Sequence, residues 1–443
     1  MVGLHSAAPR THNRKAVKRL FFALCLLVFG TIAGTVESRA APSPARGAGL
    51  WSTAASLIAG REAHTATLLP SGNVLVAGGT DGRGTALASA EVYVPRANQW
   101  AHAASMTTTR LDHTATLLSN GKVLVAGGLD GPIPSNSLAS AEVYDPATDR
   151  WSAVAPMTTS RSRHTATLLR DGRVLVVGGL SVSLRAAGLS VGRPSDAEVY
   201  DPKTNRWSPT GAMALYRRDQ TATPLQDGRV LVAGSQDDVT FNWTETYNAG
   251  IDEWTQSARM ASGRSGHTAS LLNDGDVLVM GGVSQGPNSP PIELTSAEVY
   301  HPATNRWSAV ASMAQVHIGA TATLLRDGRV LVVGGTGRPE LYDPTTNRWS
   351  LTGASMDRYR QTATRLNDGR VLIAGGYGVR SLSTVIQYDP AGVAPVPQQP
   401  IDARVAAALL LVALATLASS IPAVRRRLKA LRPDPNAEEW ITS

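Results

Sequence analysis

The sequence predicts an all-β fold, a closed seven-bladed propeller of four-stranded sheets, on three observations. A strand-turn-strand pattern returns seven times, every return brings the same aromatic and turn signals, and the incomplete units at the two ends of the repeat complement each other. A unit of about 50 residues that cannot bury both of its own faces must stack on copies of itself, so the repeat decides the architecture.

The pattern is clearest in HTATLLRDGRVLVVGG, from His164 to Gly179. Its second strand recurs at Val74–Gly79, Val123–Gly128, Val174–Gly179, Val230–Ser235, Val277–Gly282, Val330–Gly335 and Val371–Gly376. These segments are apolar continuously rather than alternately, which requires cover on both faces. Asp-Gly, Asn-Gly or Ser-Gly pairs precede them (Asp171-Gly172, Asn120-Gly121, Ser71-Gly72) and suit a two-residue hairpin whose central residues take positive φ. The closing Gly doublet allows close backbone approach, with Ser235 as its one departure.

The third strand ends at Tyr93, Tyr144, Tyr200, Tyr247, Tyr300, Tyr342 or Tyr388, and a turn such as DPATNRW delivers a fourth strand carrying Trp. Asp-Pro presets the turn, and each Tyr and Trp supply the large apolar area that wedges one sheet against the next. The strand-four tryptophans are Trp51, Trp100, Trp151, Trp207, Trp254, Trp307 and Trp349, so one precedes the first hairpin and none follows Tyr388. The segment around Trp51 is therefore expected to supply the outer strand of the last blade and close the ring.

Taken together, RxxH, DGRVLVxGG and AEVYDPxTNRW resemble kelch repeats over roughly residues 51 to 390. The resemblance implies a propeller scaffold, and its members are mostly binding modules, although the same scaffold hosts unrelated functions. Kelch-bladed copper oxidases of the galactose oxidase type need a Tyr crosslinked to Cys, and the single cysteine here, Cys25, falls in the N-terminal apolar run. Exported kelch sugar mutarotases are the enzyme alternative.

The ends carry their own signals. Arg10, Arg14, Lys15, Lys18 and Arg19 precede an apolar run from Leu20 to Ile32 and the small residues Ala40 and Ala41. That is the layout of a signal peptide over 1–41, with an uncleaved signal anchor as the alternative. The propeller is expected over 42–390, followed by a Pro-rich linker at 391–404 and an apolar span at 405–424. Twenty residues at 1.5 Å each give about 30 Å, a bilayer core. The basic tail 425–443, with Arg425, Arg426 and Arg427, puts the C-terminus in the cytoplasm and the propeller outside, anchored by one C-terminal span.

The net charge of +8 belongs mainly to these ends, which hold +5 (1–41) and +2 (402–443). The remaining +1 is spread over the repeats without a basic stripe, which excludes a nucleic-acid face. With no thiol expected in the exported part, disulfides and cysteine metal sites are excluded as well.

Within the repeats, His64, His113, His164 and His267 share one position with Gln220, Ala320 and Gln361, a substitution pattern that fits a structural filler better than a metal ligand. Arg61, Arg110, Arg161, Arg217, Arg264 and Arg358 recur with His317 in the sixth copy. Glu91, Glu142, Glu198, Glu245, Glu298 and Glu340 recur with Ile386 in the seventh, and the two sets are expected to pair. No catalytic residue, metal site or cofactor is expected.

Variation is confined to the loops between second and third strands, which strand alternation puts on one face. Loops on a rigid scaffold are where recognition usually sits. The candidate ligand-binding residues there are Asp81, Asp130, Arg185, Asp237, Asp238, Phe241 and Trp243. Trp243 has two readings, a stacking platform or a cap on the core of the fourth blade. The function expected is a non-catalytic, membrane-tethered binding module for a protein or a glycan, with a carbohydrate-active enzyme as the alternative.

Overall fold

In the computed structural model each repeat becomes four antiparallel strands, numbered outward from the axis. The structure describes residues 49–392, excepting 133–134, 186–187, 195, 236–241 and 285–289. The signal segment, the apolar span, the basic tail and all but the start of the linker lie outside the described residues. Among those described, no helix is long and apolar enough to cross a membrane.

Blade 1 shows the plan: Thr65–Leu68, Val74–Ala77, Ala90–Val94 and Gln99–Ala103 pair in sequence order. The inner strands touch their neighbours all the way round, with Thr65–Leu68 meeting both Thr114–Leu117 and Thr362–Arg365, so the ring is complete at seven blades. Closure is as expected. Leu50–Ala54 is the fourth strand of blade 7, with Trp51 opposite Tyr388 and Leu50 opposite Asp389.

Continuous apolarity of the second strands has the cause inferred for it. Leu75 and Ala77 pack on Val123, Val125 and Tyr144 of blade 2, while Val74 and Val76 pack on Leu372 and Ala374 of blade 7. The Gly doublet is crowded by connector backbone: a Cβ on Gly78 would lie 2.5 Å from the Arg110 carbonyl oxygen, and one on Gly79 2.4 Å from that of Glu62.

The hairpin turns differ from expectation. The loop is three residues long, closed by Leu169 N to Arg173 O at 2.8 Å and Gly172 N to Leu169 O at 3.0 Å, and only Gly172 is left-handed (φ 89°). Asp171 needs no positive φ because its Oδ1 accepts the Arg173 N–H at 3.0 Å, which holds it in an ordinary turn conformation ahead of the glycine.

Tyr and Trp stack in every blade with centroids 4.9 to 5.1 Å apart. A polar staple accompanies the apolar wedge. Asn205 in the turn before strand four is left-handed (φ 53°), and its Oδ1 accepts from Tyr200 Oη at 3.1 Å and from Ala155 N of the preceding blade at 3.0 Å. Trp207 Nε1 then donates to the Ala155 carbonyl at 2.7 Å, so one alanine is gripped at both its amide groups by the next blade.

The expected Arg–Glu pairing holds in five blades. Arg61–Glu91, Arg110–Glu142, Arg161–Glu198, Arg217–Glu245 and Arg264–Glu298 stand 2.6, 3.1, 3.1, 2.8 and 2.8 Å apart, all buried. In blade 6, buried His317 presents Nε2 to Glu340 at 3.3 Å and Nδ1 to the Gly334 carbonyl at 2.7 Å. In blade 7, where Ile386 replaces the acid, Arg358 turns to the carbonyl and Oγ1 of Thr384 at 3.1 and 2.7 Å. Both ends of the described chain leave from the face of the short turns, since Leu50 lies beside Asp389 where the third strand of blade 7 ends. The long loops open on the other face.

Candidate functional site: the axial mouth of the loop face

Two residues separate the repeat Arg from the His position, and they vary freely: Glu62-Ala63, Leu111-Asp112, Ser162-Arg163, Arg218-Asp219, Ser265-Gly266, Ile318-Gly319 and Tyr359-Arg360. The second of each pair is left-handed in every blade, with φ of 52°, 52°, 53°, 52°, 58°, 59° and 57° in chain order. This conformation turns the incoming connector down into the inner strand. The connectors also bond to one another around the axis: Ala63 N to Arg360 O, Asp112 N to Ala63 O, Arg163 N to Asp112 O, Gly266 N to Asp219 O and Gly319 N to Gly266 O, at 2.9 to 3.2 Å.

Five charged side chains gather here from different connectors. Arg360 contacts Asp112 Oδ2 at 2.6 Å and Glu62 at 3.9 Å, and Arg163 spans Asp112 at 3.4 Å and Asp219 at 3.8 Å. Four of them, Asp112, Arg163, Asp219 and Arg360, border a cavity of about 310 Å³ whose lining also includes His113, His164 and Gln220. Burial pushes the Asp219 carboxyl above the usual carboxylate range against the pull of Arg163, and burial likewise raises Glu62. Burial pulls the Arg163 guanidinium down, but Asp112 and Asp219 outweigh it and hold it above its usual value. A polar, partly desolvated cavity with guanidinium donors and carboxylate acceptors can grip hydroxyl, amide or charged groups of a ligand.

The repeat histidines form the layer beneath. His64, His113, His164 and His267 give Nε2 to Thr362, Thr65, Thr114 and Thr221 of the preceding blade at 3.0 to 3.1 Å. Burial, then the neighbouring arginine, pushes each down to about 3, so they are neutral stitches between inner strands.

The described loop-face candidates fall in the loops of four different blades. Asp81 and Asp130 hold equivalent places in adjacent blades and serve their own loops: Asp81 Oδ1 accepts from Arg83 N and Thr85 N at 2.9 and 2.8 Å, and Asp130 Oδ1 from Asn136 N at 2.9 Å. Trp243 is half-buried beneath the Arg259 guanidinium, 3.9 Å above its ring centroid. Its carbonyl accepts from Arg217 at 2.8 Å, a geometry that fits the cap on blade 4. Arg185 ends the first strand of a hairpin in the blade 3 loop. Asp237, Asp238 and Phe241 lie outside the described residues. The axial residues Glu62, Asp112, Arg163, Asp219 and Arg360 were not anticipated, and their one sequence signal is variability inside an otherwise constant RxxH.

Family comparison agrees with this architecture. The KLHDC2/KLHL20/DRC7 Kelch-repeats domain matches residues 63–282 and the Kelch motif residues 264–314, together more than half of the chain. The F-box/kelch-repeat protein SKIP20 of Arabidopsis thaliana is 39% identical over 74 residues, 16% of each chain. Kelch-like protein 15 of Homo sapiens is 38% identical over 74 residues, 16% of this chain and 11% of that protein. The chain thus spans about a sixth or less of the curated relatives it matches.

Among solved structures, a fungal alcohol oxidase of the AA5 family in complex with copper superposes with a TM-score of 0.63 at 19% identity, covering 79% of both chains. YjhT superposes with a TM-score of 0.53 at 15% identity, covering 68% of this chain and all of that one. At such identities the likeness is one of fold. The residues here do not fit a copper centre: among the described residues no group of three or more His, Cys, Asp or Glu side chains is arranged to hold a metal ion, and the repeat histidines spend Nε2 on threonines.

Proposed function

The chain belongs to the kelch-repeat β-propeller proteins, and from that premise we propose that it is a non-catalytic binding module that recognises a protein or a glycan through its loop face. The observation that carries this reading is the division of labour between the faces. One is built of near-identical three-residue turns, and the other combines loops of unequal length with a charged axial mouth that differs from blade to blade. A constant frame with variability on one side is the design of a recognition surface.

We also propose that the propeller is extracytoplasmic and tethered by the apolar span 405–424, after a signal segment 1–41. Support comes from the sequence, and from the exit of residue 392 on the short-turn face, which would point the loop face away from the membrane. A carbohydrate-active enzyme is the second reading, favoured by the desolvated Asp219 beside Arg163 in the axial cavity.

Binding to glycan arrays and to candidate surface proteins tests the proposal. Ala substitutions at Arg163 and Arg360 should weaken binding at least tenfold, about 1.4 kcal/mol, whereas Asp171→Asn on the opposite face should leave it unchanged. Equal losses on both faces would reject the loop-face reading, and sugar turnover without stable binding would favour the enzyme. Protease treatment of intact cells should cut the propeller and spare the tail.

A further inference from the structure

The longest second-to-third loop, in blade 3, is a hairpin of Ser181–Arg185 and Gly188–Gly192. Val182 faces Val191 and Leu184 faces Leu189, so all four aliphatic side chains share one side of the ribbon and the serines take the other. Val182 is buried against Leu111 and Leu129, whereas Leu184, Leu189 and Val191 are 47%, 50% and 52% exposed.

The first strand of the hairpin is tied to the blade 2 loop. Val182 N donates to Ser137 Oγ at 2.9 Å, Ser137 N to Val182 O at 2.8 Å and Leu184 N to Asn136 Oδ1 at 2.9 Å. The second strand has no such partner: all five of its residues are exposed, and among the described residues it pairs only with the first. It also lacks the charges and prolines that usually guard an edge. Five of the seven outer blade strands carry such a charge, at Arg150, Arg206, Glu253, Arg306 and Arg348.

The open strand reads Gly-Leu-Ser-Val-Gly, a sequence symmetric in residue class about Ser190. Laid antiparallel on itself, it sets Gly188 against Gly192, Leu189 against Val191 and Ser190 against Ser190. We propose that its occupant is the same strand of a second copy, joined in a four-stranded sheet across a two-fold axis. An isologous contact requires a self-complementary patch, and this strand is one, with aliphatic facing aliphatic and no like charges opposed. The contact is one short strand per copy, far below the roughly 1,200 Å² of a stable interface, so the dimer is weak and reversible and forms where copies are concentrated.

Register-specific crosslinking of the full chain tests this. In a Cys25→Ser background, Ser190→Cys should give a disulfide dimer under mild oxidation, because facing Cβ atoms lie about 4.5–5.5 Å apart. Leu189→Cys alone should not, yet a mixture of Leu189→Cys and Val191→Cys proteins should crosslink. In sedimentation, Leu189→Lys/Val191→Lys should stay monomeric where the native chain associates, and mixing it with Leu189→Glu/Val191→Glu should restore association. Ser190→Cys crosslinking no faster than Leu189→Cys, or association that the lysine pair leaves unchanged, would overturn the proposal. Both surface positions are half exposed, so the substitutions leave the propeller core intact.

Discussion

Changing Glu298 to Gln isolates the charge of one blade's internal pair while keeping its shape. Glu298 accepts from Arg264 at 2.8 Å and from the backbone N–H groups of Ala261 and Ser262 at 2.6 and 3.1 Å. Arg264 is fully buried, and its other terminal nitrogen, Nη1, donates to the carbonyls of Gly281 and Ser296, both at 3.0 Å. An amide offers one acceptor oxygen where the carboxylate offered two, and it turns an NH2 toward donors. The guanidinium cannot shed its proton, so it stays charged without a counter-ion. Breaking a buried pair on one side costs about 3–5 kcal/mol. In urea the midpoint should fall with the slope unchanged.

The same change at Glu340 supplies the comparison. Its partner, His317, is an imidazole in place of a guanidinium and keeps Nδ1 on the Gly334 carbonyl, so the loss should shrink to about 1–3 kcal/mol, the cost of an unmet polar contact. A Glu298→Gln loss under about 1 kcal/mol, or a Glu340→Gln loss exceeding it, would refute the argument that a permanently charged partner sets the penalty.

Further predictions concern the ring. The four stitching histidines sit at about 3 when folded and near 6.5 when unfolded, so the unfolded chain binds more protons between those values. Their stability contribution is full above about pH 6.5 and is lost as pH falls toward 3; His113→Gln, the residue found at Gln220 and Gln361, should flatten a plot of urea midpoint against pH. Trp51→Ala should remove the stack on Tyr388 and the 3.0 Å bond to Thr352 and cost about 3–5 kcal/mol. Amide exchange in 50–54 should then accelerate more than in 150–154 after Trp151→Ala, because no turn links the closing strand to the rest of its sheet. Asn205→Ala should cost about 2–4 kcal/mol through left-handed strain and two lost hydrogen bonds, and Asn205→Gly should recover the strain share in thermal melts.

The blades, their number and the closing strand were legible because every signal is local and repeated: Tyr93 and Trp100 announce a strand pair wherever the motif recurs, and the unmatched Trp51 and Tyr388 announce the closure. The turn length was not legible, since Asp-Gly serves two- and three-residue hairpins alike and only the Asp171 side-chain bond decides between them. The blade 3 hairpin was written in the alternation of Val182 with Leu184 and Leu189 with Val191, but it occurs once, in a segment that differs from blade to blade. The axial residues escaped for a different reason. A reading that searches for what recurs passes over Asp112, Arg163, Asp219 and Arg360, which matter because a recurring backbone conformation carries non-recurring side chains to one point. Asp81 and Asp130 stand out in the sequence for the converse reason, at one position of adjacent blades, and in the structure each carboxylate accepts from the backbone of its own loop.

The third strand of blade 7, Val385–Asp389, lies between Val371–Ala374 and the early segment Leu50–Ala54, and a turn closed by Gly392 N to Asp389 O at 3.2 Å follows it. Tension applied between a gripped loop face and the chain beyond 392 would therefore run lengthwise along that strand. Flanking backbone bonds on both sides would resist in shear, all at once, and not peel one by one. The sheet that joins the two ends of the described propeller is thus one whose geometry withstands a pull on the chain beyond it.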